Sequence, residues 1–332
     1  MNTTATILHQ TSLWDEKAMN DNSVLINEDI FISVLNLLAK EKINGIAQPC
    51  LIIGESGSGK TYLLHRLYQS LQVDNDRLFR PVFIEGRTLF STDDIWKQCA
   101  SFLSVNPSTV PYDDICRWQE EHACRIVLFV DNIQYYFERT KNHDHFNLRG
   151  KLNRSGAPVL VATSDRVLPA FTDYDAAFFE GFKISYIKPL ILSEFARFID
   201  SQLKMSRLEK LMAYLPKTPR SLYLATDILR NSSGEEMDLI LLQDYFSQYY
   251  QIRYDGYLTQ VQRILSVLAR TENGASLQEI RNRTGQEGGK LSPYLKMMTD
   301  QKVIEKTSKK QRGGTYTIVD PLFKLWLQTN AS

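Results

Sequence analysis

Eight consecutive residues, Gly54-Glu55-Ser56-Gly57-Ser58-Gly59-Lys60-Thr61, have the types and spacing of a loop that holds phosphate groups. Glycines let the backbone curl so that successive N–H groups and the start of a following helix face an anion. In that pattern Lys60 reaches the β and γ phosphates, the Thr61 hydroxyl ligates Mg²⁺, and Tyr62 continues into the helix. The chemistry needs a strand before the loop and a helix after it. Cys50-Leu51-Ile52-Ile53 is a short apolar run bounded by glycine, and residues 62–72 have helical spacing, so both flanks are present. No Asn-Lys-x-Asp guanine signature occurs, which points to ATP as the nucleotide.

A second chemical element is Arg125-Ile126-Val127-Leu128-Phe129-Val130-Asp131-Asn132, a buried-strand pattern ending in a carboxylate. Asp131 is expected at the strand's C-terminal end, where ligands bind in open α/β sheets, and is the second candidate Mg²⁺ ligand. Asn132 follows it. An amide cannot act as a general base but can orient a water, so hydrolysis is expected to be slow or partner-dependent.

These residues require a scaffold, and strand-like runs at residues 50–53, 82–85, 126–130, 159–162 and 182–187 alternate with helical patterns or polar turns. Such alternation predicts a parallel sheet covered on both faces. An amphipathic helix is expected over residues 25–45. After Pro189 only helical patterns follow, at 193–204, 207–215, 219–231 and 238–253. From Tyr257 onward three further helices (258–270, 276–284, 292–300) precede two strand-like pieces at 303–306 and 315–319, with a basic turn, Lys309-Lys310-Gln311-Arg312-Gly313-Gly314, between them.

At 332 residues and 43% hydrophobic content the chain has material for two or three domains. It contains no apolar stretch of membrane-spanning length, and its first residues lack a secretory pattern, so the expected location is the cytoplasm with no membrane partner. Cys50, Cys99, Cys116 and Cys124 have no metal-binding or redox spacing and are expected to be reduced. The net charge of +1 hides an asymmetry. From Tyr257 to the end there are 12 Lys and Arg against 6 Asp and Glu. A basic C-terminal module invites a polyanion partner.

A strand lying between the loop and the Asp131 run resembles the additional-strand ATPases, the class that includes AAA+ proteins. In that family pattern the residue after the metal-binding Asp is commonly a water-activating Glu, and here it is Asn132. The resemblance also implies a polar γ-phosphate sensor at the end of the next strand, Thr163 or Ser164, with Thr163 preferred. Residues 215–222, Leu-Pro-Lys-Thr-Pro-Arg-Ser-Leu, look like the Gly-Asn-Pro-Arg segment that opens a lid helix in origin-recognition and related ATPases. Arg220 is then a nucleotide sensor, although Lys217 and Thr218 stand where the family has glycine and asparagine. No arginine occurs in residues 175–182, where oligomeric relatives carry one that reaches a neighbour's nucleotide.

The closing segment, Thr315-Tyr316-Thr317-Ile318-Val319-Asp320-Pro321-Leu322-Phe323-Lys324-Leu325-Trp326, resembles the ending of the prokaryotic "archaeal ATPase" family, which sits among the signal-transduction ATPases with numerous domains. The strand and helix patterns divide the chain into an N-terminal extension over residues 1–24, an α/β P-loop NTPase core over 25–189, a helical domain over 190–256 and, from three helices and a two-stranded ribbon, a winged helix over 257–332; the resemblance implies the same order of P-loop domain, helical lid and winged helix. It implies ATP and Mg²⁺ as cofactors. In a winged helix, residues 290–298 form the recognition helix, and Lys290, Lys296, Lys306, Lys309, Lys310 and Arg312 are the candidate duplex-DNA contacts. Two functions remain open at this point: an ATP-controlled DNA-binding switch, or a switch that recruits a protein partner or a second copy of itself. A fast motor is disfavoured by Asn132 and the missing arginine.

Overall fold

The computed structural model describes residues 27–40, 45–73, 78–106, 108–191, 205–285, 288–307 and 314–330. The chain forms two compact units, Met1–Pro189 and Leu190–Ser332.

In the first unit, helix α1 (Glu28–Lys40) precedes strand β1 (Cys50–Ile53), helix α2 (Lys60–Val73) and strand β2 (Phe79–Glu85). Then come helices α3 (Thr92–Phe102) and α4 (Pro111–Glu121), strand β3 (Arg125–Asp131), helices α5 (Gln134–Arg139) and α6 (Asn142–Leu152), strand β4 (Val159–Ser164), the short helix α7 (Pro169–Thr172) and strand β5 (Lys183–Tyr186). The five strands form one parallel sheet in the order β2-β3-β4-β1-β5. Strand β4 thus separates the loop-bearing β1 from β3. Pro81 is tolerated because β2 is an edge strand, where a missing N–H interrupts no inner ladder.

Every residue of β1, β3 and β4 is buried, as a sheet covered on both faces demands. The two-residue period of a strand divides them between two cores. Leu51, Ile53, Ile126, Leu128, Val130, Leu160 and Ala162 join the core formed with α3, α4 and α6. Cys50, Ile52, Val127, Phe129, Val159 and Val161 join the core formed with α1 and α2, through Ile30, Val34, Leu38, Leu63, Leu64, Leu67 and Leu71. Each fully buried aliphatic side chain contributes about 1.5–3 kcal/mol relative to exposure. This parity decides the site: residues 127 and 129 face α2, so 131 does as well, and the same count places residues 85 and 163 on the α2 face.

The second unit consists of helices α8 (Met205–Met212), α9 (Pro219–Asn231), α10 (Glu235–Asp255) and α11 (Thr259–Ala269), strand β6 (Ala275–Ser276), helices α12 (Leu277–Thr284) and α13 (Gly288–Asp300), strands β7 (Ile304–Thr307) and β8 (Thr315–Ile318), and helix α14 (Pro321–Asn330). Its strands form an antiparallel sheet in the order β6-β8-β7. One apolar core runs from Leu190 to Leu327, through both the helical segment and the segment with the ribbon. Tyr250 of α10 is 3% exposed in this core and donates its hydroxyl to Asp320 Oδ2 at 3.0 Å. The aromatic run on α10 therefore splits, with Tyr250 inside and Tyr245 and Tyr249 exposed.

The helix expected at 193–204, the extension over 1–24 and the cations Lys309, Lys310 and Arg312 lie outside the described residues. No described helix is long and apolar enough to cross a membrane.

Candidate nucleotide site

The loop between β1 and α2 turns back on itself through glycines in the left-handed region, Gly57 at φ 79° and Gly59 at φ 93°, a conformation that costs glycine little and other residues more. Lys60 opens α2 and is 7% exposed. Its ammonium donates to the carbonyls of Gly54 (2.7 Å) and Glu55 (2.8 Å), the loop's own backbone. Burial pushes the Lys60 ammonium below its ordinary pKa, against the opposing charges of Asp131, Asp165 and Glu55. The Ser58 hydroxyl is buried within the loop and has no hydrogen-bond partner among the described residues. Glu55 and Ser56 are exposed, and Gly54, Gly57, Gly59, Thr61 and Tyr62 are half-buried around the same turn.

The Thr61 hydroxyl donates to Asp131 Oδ2 at 2.7 Å, which joins the loop to β3 across β4. Thr163, fully buried at the end of β4, donates to Asp131 Oδ1 and accepts from the Asn132 N–H at 2.9 Å. Ser164 points the other way. Its hydroxyl donates to the Arg166 carbonyl at 2.6 Å and closes a turn.

Asn132 adopts φ 57°, a left-handed conformation that asparagine tolerates better than most residues. The turn aims its amide back at the strand ends, where Nδ2 donates to Asp131 Oδ2 (3.2 Å) and Glu85 Oε1 (3.4 Å).

Glu85 is a residue that the sequence reading passed over. It ends β2 in register with Asp131. Phe83, two residues earlier, stacks on His65 of α2 with ring centroids 4.3 Å apart, so Glu85 shares the α2 face. The next residue, Gly86, approaches β3 so closely that a Cβ there would lie 2.4 Å from the Asn132 carbonyl. Burial pushes the Glu85 carboxyl above the usual range and Asp131 adds to this, while bonds from the Arg87 N–H and Asn132 pull it down. A signal was available: residues 82–85 end in an acid before glycine, as residues 126–131 end in an acid before a turn.

The residues present fit a nucleoside triphosphate with a divalent ion. Among the described residues, a buried ammonium satisfied only by loop carbonyls, a buried hydroxyl with no partner, and a threonine bonded to a buried carboxylate are groups that phosphate oxygens and Mg²⁺ complete. The AAA domain family model matches residues 45–165. The first unit is a P-loop domain of the AAA+ fold. Similar solved structures include Orc1 of Aeropyrum pernix in complex with DNA, 12% identical over 96% of each chain with a TM-score of 0.54. Drosophila ORC bound to DNA is 14% identical, covering 93% of this chain and 89% of that one, with a TM-score of 0.50. At such identities the likeness is one of fold.

Of the remaining candidates, Arg220 belongs to the second unit. Thr218 caps α9 by accepting from the Ser221 N–H at 3.2 Å, Pro219 takes the first helical position, and Arg220 follows, exposed. Arg149 and Arg166, near the 175–182 stretch in sequence, are both engaged: Arg149 donates to the Ala177 carbonyl, and Arg166 pairs with Glu138 and Asp165. Lys290 and Lys296 are exposed on α13, and Lys306 is exposed on β7.

Proposed function

We propose that the protein is a nucleotide-controlled switch that holds ATP and Mg²⁺ in its first unit and contacts duplex DNA through residues 257–332, acting as a winged helix. The observation that carries the reading is the Thr61–Asp131–Thr163 cluster beside a buried Lys60 with no acidic partner within ion-pair distance among the described residues. In it Lys60 and the loop N–H groups hold the phosphates, Thr61 and Asp131 hold the metal, and Thr163 and Asn132 orient groups around the terminal phosphate. When bound, Mg²⁺ neutralises phosphate charge. Arg220 is the proposed contact through which the second unit responds to nucleotide state.

The DNA half of the reading is supported by the exposed cations Lys290, Lys296 and Lys306 on one helix and the adjacent ribbon. It is also supported by the fold likeness to an Orc1 solved in complex with DNA. The test is duplex-DNA binding at two salt concentrations with ATP, with ADP and without nucleotide. The expected result is a salt-sensitive affinity that changes with nucleotide and falls when Lys290, Lys296 and Lys306 are replaced together by glutamate. Salt-insensitive or nucleotide-independent binding contradicts it.

A second reading, recruitment of a protein partner, is favoured by one observation. Helix α10 exposes Tyr245, Tyr249 and Ile252, spaced four and three residues apart on one face, in spite of their apolar bulk, and contiguous exposed apolar surface marks contact sites. A partner captured in the ATP state but not the ADP state, with no DNA affinity, selects this reading.

A further inference from the structure

We propose that Glu85 is the catalytic base of ATP hydrolysis in this protein and that Asn132 is its positioning residue. The proposal rests on the nucleotide-site reading above and adds the group that reading lacks. Hydrolysis of a phosphoanhydride is assisted by a group that accepts a proton from the attacking water, and an amide at position 132 cannot accept it. A carboxylate is needed on the α2 face, at the C-terminal strand ends, with an oxygen free for water.

Around the loop the carboxylates differ in how they are used. Asp131 commits both oxygens, Oδ2 to Thr61 and Oδ1 to Thr163. Glu138 is paired with Arg166. Asp165 is ion-paired to Arg166 at 3.2 Å, although its Oδ1 has no bond among the described residues. Glu85 alone combines the β3 register with a carboxylate that no close ion pair claims. Its contacts all fall on Oε1: the Arg87 N–H at 3.2 Å, Asn132 Nδ2 at 3.4 Å, and the Arg87 guanidinium no nearer than 3.9 Å. Among the described residues Oε2 has no partner, and the Glu85 side chain is 41% exposed, so water reaches it.

Two backbone features hold the carboxylate in place. Gly86 permits the close approach of the β2 and β3 ends, and the left-handed turn at Asn132 points the amide at Glu85. Asn132 thus keeps the carboxylate beside Asp131 without competing for the proton. In the step itself a water oxygen forms a bond to the γ-phosphorus as the bond from that phosphorus to the β–γ bridging oxygen breaks. Glu85 takes the water proton and ADP leaves with the bridging electron pair. The proton then passes to phosphate or solvent, so that ATP and water give ADP and inorganic phosphate with no other reactant.

The experiment compares the full chain with its Glu85→Gln, Asn132→Gly and Asp165→Asn variants. Two readouts are used: the dissociation constant for Mg·ATP by calorimetry, and the single-turnover rate with the identity of the nucleotide retained after rapid desalting. Glutamine keeps the Oε1 contacts of Glu85, and glycine keeps the left-handed turn of Asn132. The expected result for Glu85→Gln is an affinity within about threefold of wild type, a rate lower by about 100-fold or more, and retained ATP where wild type retains ADP. Asn132→Gly is expected to lower the rate about tenfold with the same unchanged affinity, and Asp165→Asn to leave the rate within about threefold. Wild-type turnover in Glu85→Gln, loss of its ATP binding, ATP retention in Asp165→Asn instead, or a wild type that binds ATP without hydrolysing it overturns the assignment. A wild type that binds no Mg·ATP overturns the nucleotide-site reading itself.

Discussion

Asp131 in the first unit and Asp238 in the second are both almost excluded from water, 3% and 2% exposed, yet their charges are met differently. Asp238 lies in the first turn of α10 and receives the Arg207 guanidinium as a fork, Nε to Oδ2 at 2.8 Å and Nη2 to Oδ1 at 2.5 Å, with the Ser232 hydroxyl also on Oδ1. Asp131 receives two threonine hydroxyls and an amide, all neutral donors. No cation lies within ion-pair distance of it among the described residues. Buried charges in proteins are paired or bind metals, so a carboxylate with only neutral donors is half of a site. The Lys60 ammonium, spent on loop carbonyls, is the other half. The difference separates a charge kept for structure from one kept for a ligand.

Removing the paired charge has the largest expected effect on stability. Asp238→Ala leaves Arg207 facing the core edge without its carboxylate and should lower the free energy of urea unfolding by about 3 kcal/mol, followed by circular dichroism. The same pair gives a pH signature. Burial alone would push the Asp238 carboxyl up, but the bonds from Arg207 and Ser232 outweigh it and hold the group below its ordinary 3.8. A carboxyl depressed in the folded state stabilises above its unfolded value, and that contribution disappears as pH falls through the folded value. The stability gap between wild type and Asp238→Asn should therefore be flat from pH 7 to about 5 and close below 3.8. A gap that widens in acid contradicts the pairing.

Lys60→Ala comes next and acts on the ligand, not the fold. Loss of the ammonium should weaken Mg·ATP binding by about 100-fold or more, roughly 2.7 kcal/mol, with an unfolding midpoint in the absence of nucleotide no lower than wild type. Retained affinity would remove Lys60 from the site. A large loss of stability would place it with Asp238 as a structural charge.

How far these roles were legible depends on whether the signal was local. The phosphate loop, the Asp131 strand and the start of α9 at Thr218-Pro219 are each specified by neighbours within a few residues. Their elements lie where spacing and capping put them. Glu85 left only a weak local mark, an acid before glycine, because what sets it beside Asp131 is register: the two face each other only when β2 and β3 pair as they do. Strand β6 has two residues, too few for any period. Helix α14 did leave a local mark, since Asp320 accepts from the Leu322 and Phe323 N–H groups at 3.0 Å each and Pro321 opens the helix. The aromatic run at 245–250 could not be divided into buried and exposed members without knowing that α14 covers one side of α10.

Asp131→Asn is the smallest expected perturbation and the sharpest test of the comparison. The amide has the same shape, but the Thr61 and Thr163 hydroxyls donate to different oxygens of Asp131, so the single amide oxygen keeps one of the two bonds and the contacts to β4 and the loop are kept in part. What it removes is a buried negative charge with no cation within ion-pair distance among the described residues. Without ligand, stability should therefore change by less than about 1 kcal/mol, and a gain is consistent with relief of an unpaired buried charge. With ligand, the loss should be confined to the metal: ATP affinity measured with Mg²⁺ should fall about tenfold toward the value measured in chelator, where wild type and variant should agree. If the variant instead unfolds as readily as Asp238→Ala, then Asp131 is held for the fold. Its neutral shell would then be a structural network, and the contrast between the two aspartates would lose its functional meaning.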